Sequence, residues 1–197
     1  MNAPSPGGAR FWNVPNLLTA SRLLGIPFFI FSHIYSLQTL GLGIIIFALL
    51  SDYLDGKCAR RLGQVTQFGS IFDPVADKIV SLFYLSFFWY LELLPGWYLV
   101  LVWLRDISQL MALPILLIWL KRPFKVEPKW FGKWGTAIAL LVMVYCQVKL
   151  TFDFGASLDS KSLEMTVIIS SIFEIAILVT YWPRFVQIAK GQHDTFE

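Results

Sequence analysis

The chain has 197 residues, of which 56% are hydrophobic and only 15% are charged, with a formal net charge of +3. This composition excludes an ordinary soluble domain, in which roughly a quarter of the residues are charged. The apolar runs are continuous and lack the two-residue alternation of a membrane β-barrel. We therefore predict an all-α integral membrane protein in contact with membrane lipids, with no nucleic acid among its partners.

The amino-terminal segment, residues 1–12, reads MNAPSPGGARFW and carries a single charged residue, Arg10. It has no apolar centre or cleavage pattern of the kind that marks a signal peptide. We expect a flexible tail here, a single transmembrane domain over residues 13–190, and a second short tail over residues 191–197.

Six apolar segments follow in chain order, each close to the roughly 20 residues that a helix needs to cross a bilayer. The predicted spans are about 14–35, 38–60, 70–93, 96–120, 132–152 and 163–187. Lys and Arg are concentrated before span 1, in the connections after spans 2 and 4, and after span 6, whereas the opposite side has only Lys149 and Lys161. Because basic loops stay in the cytoplasm, both termini are predicted to be cytoplasmic.

The first span opens with the segment PNLLTASR, residues 15–22. Pro15 suits a first helical turn, and Asn16 or Thr19 is available as a capping residue. Arg22 lies about one turn inside the span. It either serves a binding site or extends its charged group towards the membrane surface.

Four acidic residues surround the connection between spans 2 and 3. Asp52 and Asp55 are three residues apart, and Asp73 and Asp77 are four apart. On a helix each spacing places both carboxylates on one face, and the short connection 61–69 brings the two helix ends together. Carboxylates gathered in this way repel one another unless a cation neutralises them. The alternative is that the charges only mark the membrane interface, which would need neither four acids nor this spacing.

Oxygen ligands without His or Cys favour a hard cation such as Mg²⁺, with Mn²⁺ and Ca²⁺ as alternatives. Two such ions about 4 Å apart form the arrangement that enzymes use for displacement at phosphorus. The small residues Gly56, Ala59 and Gly69 allow a ligand to approach the backbone closely. Arg60 is suited to hydrogen-bonding phosphate oxygens.

These residues fit the pattern DxxDGxxARx8GxxxDxxxD without a gap or mismatch, and the chain thereby resembles the CDP-alcohol phosphatidyltransferases. The matching residues are Asp52, Asp55, Gly56, Ala59, Arg60, Gly69, Asp73 and Asp77. The resemblance implies a six-helix membrane bundle, an active site on the cytoplasmic side, a CDP-diacylglycerol donor and a homodimer.

The resemblance also implies roles for individual residues. Asp52, Asp55 and Asp73 would hold the metal ions, with Asp77 near them as a further ligand and as the general base. The donor's cytidine diphosphate would contact Asp52, Gly56, Ala59, Arg60 and Gly69. The acceptor hydroxyl, deprotonated by Asp77, would attack the phosphorus that bears the lipid, and CMP would leave.

The acceptor is less clear from the sequence. PNLLTASR and FDPVADK (residues 72–78) are similar to segments of phosphatidylglycerophosphate synthases and of cardiolipin synthases. Arg22, Arg105 and Lys133 are predicted to bind the phosphate of sn-glycerol 3-phosphate, the preferred acceptor. The alternative acceptor is phosphatidylglycerol, as in cardiolipin synthesis, because Gly135 replaces the second lysine of the GKxKT pattern typical of phosphatidylglycerophosphate synthases.

Other interpretations of the charges inside the spans stay open at this stage. Arg105 and the adjacent Asp106 are expected to face the bundle interior, where they would serve either the acceptor or a structural ion pair. Glu174 is either a hydrogen-bond partner within the bundle or part of a dimer surface. A cation transporter would also use intramembrane acids, but the sequence shows no internal symmetry. The predicted location is a bacterial inner membrane, with an organellar membrane as the alternative.

Overall fold

The computed structural model describes residues 14–62, 67–114, 130–152 and 160–189. These residues form six helices and no strand. The helices are α1 Val14–Ile34, α2 Gln38–Leu62, α3 Gln67–Tyr90, α4 Gly96–Pro114, α5 Trp130–Thr151 and α6 Ser160–Ala189. The predicted all-α architecture is confirmed.

Each helix coincides with one predicted span, with differences at the ends. Helix α2 continues to Leu62 and α3 begins at Gln67, so the connection is shorter than the predicted 61–69 and Gly69 lies inside α3. The prediction that Asn16 or Thr19 caps α1 was wrong, because this helix begins at Val14. Residues 115–120 of predicted span 4, the tails 1–12 and 191–197, and Arg10 lie outside the described residues.

Among the described residues, three helices are long and apolar enough to cross a membrane by length and composition: the windows are Leu17–Ile34, Trp134–Thr151 and Lys161–Gln187. Helix α2 contributes a shorter apolar segment, Gln38–Ser51, which ends just before the first acidic pair. The chain is a polytopic membrane protein, and helices suit it because a spanning helix satisfies its own backbone hydrogen bonds where the bilayer provides no water.

The structure contains two compact units, and the boundary falls inside α3. In the first, Met1–Val80, α1 packs along α2. The two helices are joined by a tight turn in which the Leu37 amide donates to the Ser32 carbonyl at 2.6 Å and Ser36 adopts a φ of 57°. Phe29 of α1 and Ile45 of α2 are fully buried. The short turn therefore makes α1 and α2 an antiparallel pair.

In the second unit, Ser81–Glu197, α6 packs against both α4 and α5. The Tyr98 hydroxyl of α4 lies 2.8 Å from the Ser170 hydroxyl of α6, and both residues are buried. Cys146 of α5 is buried, with a free thiol. Hydrogen bonds between helices, such as that between Tyr98 and Ser170, hold membrane helices together, because the hydrophobic effect contributes little to helix association within lipid. The single transmembrane domain over residues 13–190 stays a prediction.

Gly135 of α5 lies close to side chains of α6. A Cβ atom at this position would lie 2.5 Å from Cδ1 of Ile177 and 3.6 Å from Cβ of Phe173. At Gly43 of α2, by contrast, a Cβ atom would meet nothing within 4 Å. Small residues allow membrane helices to pack closely, so the glycine at position 135 sets the separation of α5 and α6.

We expect Gly135→Leu to lower the free energy of unfolding by about 1–3 kcal/mol, the usual cost of overpacking a filled interface. The matched change Gly43→Leu should have no such effect, because the space around Gly43 is open. Thermal unfolding of both purified variants in the same detergent measures the difference. Equal loss of stability in the two variants would contradict the close α5–α6 contact.

Candidate active site

The four predicted metal-binding aspartates lie on two successive helices. Asp52 and Asp55 belong to α2, and Asp73 and Asp77 belong to α3, so each pair is separated by about one turn of continuous helix. Of the four side chains only that of Asp77 is among those described. The same limit applies to the predicted donor-binding residues, whose side chains lie outside the described part of the chain: Asp52, Gly56, Ala59, Arg60 and Gly69.

Asp77 forms an ion pair with Arg22 of α1. The Arg22 guanidinium donates from Nη1 to Oδ1 of Asp77, and the two side chains differ sharply in exposure, at 3% for Arg22 and 39% for Asp77. The arginine therefore lies behind the carboxylate, on its buried side. The alternative prediction, in which Arg22 extends to the membrane surface, was wrong, because the guanidinium points inward to a carboxylate.

Thr19 is a second partner of Arg22 that the sequence analysis missed. Nη2 of Arg22 donates to the Thr19 hydroxyl oxygen at 3.2 Å, and Thr19 is fully buried. The two residues are three apart on α1, so the helix brings their side chains together. The three-residue spacing of Thr19 and Arg22 could have predicted this contact, but Thr19 was interpreted as a capping residue instead.

Arg105 is the centre of a second charged cluster, inside the second unit. Its Nε donates to Oδ1 of the adjacent Asp106 at 2.8 Å, and its Nη1 donates to Oε1 of Glu174 on α6 at 2.6 Å. All three residues are buried, with Arg105 at 2% exposure and the two acids at 0%. The prediction that Arg105 and Asp106 face the interior is confirmed, and Glu174 is a partner within the bundle.

A cavity of about 330 Å³ lies between α4 and α6, next to this cluster. Arg105, Ser108 and Gln109 contribute polar groups to its lining, which is otherwise mostly apolar and includes Ile177 and Trp182. The Arg105 guanidinium is already bound by two carboxylates. An anionic ligand in this cavity would therefore meet a cation whose charge is compensated.

Lys133 lies in the first turn of α5, and its side chain is not among those described. Arg22 belongs to the first unit, and Arg105 belongs to the second. Each of these arginines is ion-paired within its own unit. It stays a prediction that the acceptor phosphate is bound by Arg22, Arg105 and Lys133.

Comparison with known proteins assigns these helices to a family. Residues 12–182 match the family described as CDP-alcohol phosphatidyltransferase, so the chain belongs to this family. It is a transferase of phospholipid biosynthesis, as the sequence predicted, and the alternative of a cation transporter is set aside.

The chain is similar to named members of two groups. It is 36% identical over 144 residues to a CDP-diacylglycerol–glycerol-3-phosphate 3-phosphatidyltransferase of Aquifex aeolicus, covering 72% of this chain and 79% of the relative. The enzyme of the same name from Pectobacterium atrosepticum is 28% identical, and the alignment covers 94% of this chain and 98% of the relative. A cardiolipin synthase (CMP-forming) of Streptomyces coelicolor is 34% identical, and the alignment covers 54% of this chain and 53% of the relative.

We expect Glu174→Leu to lower the free energy of unfolding by about 1.5–3 kcal/mol, because α4 and α6 lose a buried hydrogen bond between charged groups. Glu164→Leu, at an exposed position of the same helix, should change stability by no more than about 0.5 kcal/mol. Thermal or denaturant unfolding in detergent measures both. Unchanged stability of the Glu174 variant would show that the Arg105 cluster does not hold α4 and α6 together.

Proposed function

We propose that this enzyme transfers the phosphatidyl group of CDP-diacylglycerol to sn-glycerol 3-phosphate, giving phosphatidylglycerophosphate and CMP. The observation that carries the proposal is the pair of acid-bearing turns on α2 and α3, within the segment that matches the family. The choice of acceptor is supported by the Pectobacterium relative, whose name specifies glycerol 3-phosphate and which aligns with nearly the whole chain.

The acidic residues suit divalent cations. Asp52, Asp55, Asp73 and Asp77 offer only carboxylate oxygens, which Mg²⁺ and Mn²⁺ prefer. The one described side chain, that of Asp77, is 39% exposed, so part of its carboxylate is accessible to a ligand. We propose two ions held by these four residues. When bound, they would supply positive charge that offsets the charge developing on the phosphate oxygens.

The protein residues have separate tasks in this reaction. Asp77 accepts the proton of the acceptor hydroxyl, whose oxygen forms a new bond to the phosphorus attached to diacylglycerol. The bond between this phosphorus and the oxygen of the CMP moiety breaks, and CMP leaves with the bonding electrons. Gly56, Ala59 and Gly69 allow the donor to approach the backbone, and Arg60 binds its phosphate oxygens.

The proposed setting is the cytoplasmic face of a bacterial inner membrane. The basic segments on one side of the spans support this orientation, and both donor and acceptor headgroups would then be reached from the cytoplasm. We further propose that the protein works as a homodimer.

A second candidate acceptor is phosphatidylglycerol, which would make the enzyme a cardiolipin synthase. The specific observation in its favour is Gly135, where a Cβ atom would lie 2.5 Å from Cδ1 of Ile177, so that a longer side chain would require Ile177 to move. A second lysine, typical of phosphatidylglycerophosphate synthases at this place, is therefore missing. An acceptor with a singly charged phosphodiester needs less positive charge than one with a phosphate monoester.

The acceptor is tested with purified protein in detergent, Mg²⁺ and CDP-diacylglycerol, by following CMP release as each alcohol is added separately. We expect release with sn-glycerol 3-phosphate and a product that runs as phosphatidylglycerophosphate. Release with phosphatidylglycerol alone would replace the proposal by its alternative. No release with either, in protein that still unfolds cooperatively, would contradict both.

Removal of metal should abolish the activity, because four carboxylates cannot approach the donor's pyrophosphate without compensating charge. We expect CMP release to fall at least a hundredfold in excess EDTA and to return when Mg²⁺ or Mn²⁺ exceeds the chelator. Ca²⁺ added in the same way is the control for simple charge neutralisation. Full activity in EDTA would contradict metal dependence.

The general base is tested by Asp77→Asn, which keeps the size of the side chain but cannot accept the proton. We expect this variant to bind CDP-diacylglycerol and to lose CMP release by a factor of about 10² to 10⁴. Glu164→Gln, a change of the same chemistry at an exposed position, should keep wild-type turnover. Wild-type turnover in the Asp77 variant would exclude the base role.

A further inference from the structure

Arg22 is much more deeply buried than the carboxylate that it binds. Its side chain is 3% exposed, whereas the side chain of its partner Asp77 is 39% exposed. A phosphate approaching from the accessible side would meet the carboxylate first. To bind Arg22 it would have to displace Asp77 from the guanidinium, and two anions would then compete for one cation.

The guanidinium is itself held in place. Nη2 of Arg22 donates to the Thr19 hydroxyl at 3.2 Å, while Nη1 donates to Asp77. Both Thr19 and Arg22 are buried on α1. Because the guanidinium is planar and presents its donors in fixed directions, a contact to α1 on one side determines the direction of the bond to α3 on the other.

Orientation matters for a carboxylate that takes a proton. A general base must lie within about 2.6–3.2 Å of the proton donor's oxygen, and a misplacement of about 1 Å can cost roughly a hundredfold in rate. An Asp side chain rotates about two bonds, and a hydrogen bond from a buried, anchored donor restricts both rotations.

We propose that Arg22 is a positioning residue for Asp77, anchored by Thr19, and that it is not a ligand of the acceptor phosphate. The proposal replaces the acceptor role predicted for Arg22 from the sequence. It rests on the proposed function of Asp77 as the base.

The test separates kcat from the KM for the acceptor, using CDP-diacylglycerol with sn-glycerol 3-phosphate, or with phosphatidylglycerol if that is the acceptor that supports CMP release. For Arg22→Gln we expect kcat to fall roughly a hundredfold, with the acceptor KM within about threefold of wild type. Arg22→Lys keeps the charge without the planar donors and should recover only part of kcat. A rise in KM of tenfold or more with kcat unchanged would overturn the proposal.

Thr19→Val tests the anchor without removing a charge, and it remains informative if Arg22→Gln does not fold. We expect kcat to fall several-fold at unchanged acceptor KM. The matched control is Ser21→Ala, which removes a hydroxyl of α1 that donates to the Leu18 carbonyl and should leave both constants unchanged. Equal kinetics of Thr19→Val and wild type would contradict the anchoring.

Failure of this inference is distinguishable from failure of the proposed function. If Asp77→Asn keeps wild-type turnover, the base role is wrong and the inference falls with it. If Asp77→Asn loses turnover while Arg22→Gln raises only the acceptor KM, the proposed function stands and Arg22 is an acceptor ligand.

Discussion

A charged side chain inside a membrane helix needs a partner of opposite charge, and this constraint organises both units of the protein. Ionisable groups at membrane depth are costly, and an uncompensated buried charge is strongly destabilising. In the first unit Arg22 is paired with Asp77, and in the second Arg105 is paired with Asp106 and Glu174. In each case the arginine joins two different helices.

The two arginines nevertheless differ in what their partners leave accessible. The cluster of Arg105 is closed, because both of its acids are fully buried, and such a cluster is suited to fixing α4 against α6. The pair of Arg22 is open on one side, because Asp77 retains 39% exposure. A carboxylate that is held from behind and accessible in front is suited to chemistry. The burial of the partners therefore distinguishes a closed ion pair from one whose carboxylate is accessible.

Much of the fold can be predicted from the sequence, because each membrane span is a long continuous apolar segment. Continuous apolar segments predicted all six helices, and helical spacing predicted that Asp52 with Asp55, and Asp73 with Asp77, lie about one turn apart. Pairings between helices were less accessible, since periodicity describes one helix at a time. The local sequence around Glu174 does not predict that its partner is Arg105, which precedes it by 69 residues. Thr19 was likewise interpreted from its position near a helix start, although its hydroxyl serves a buried arginine.

We propose that α2 and α3 together provide one divalent metal centre, and electron paramagnetic resonance of bound Mn²⁺ tests whether the two helices share it. We expect the wild-type protein in detergent to bind two Mn²⁺ ions with the spectral broadening of a coupled pair. Replacing one acid on either helix, by Asp52→Asn or by Asp73→Asn, should abolish the coupling. Uncoupled Mn²⁺, or a spectrum that neither substitution alters, would contradict a centre shared by the two helices.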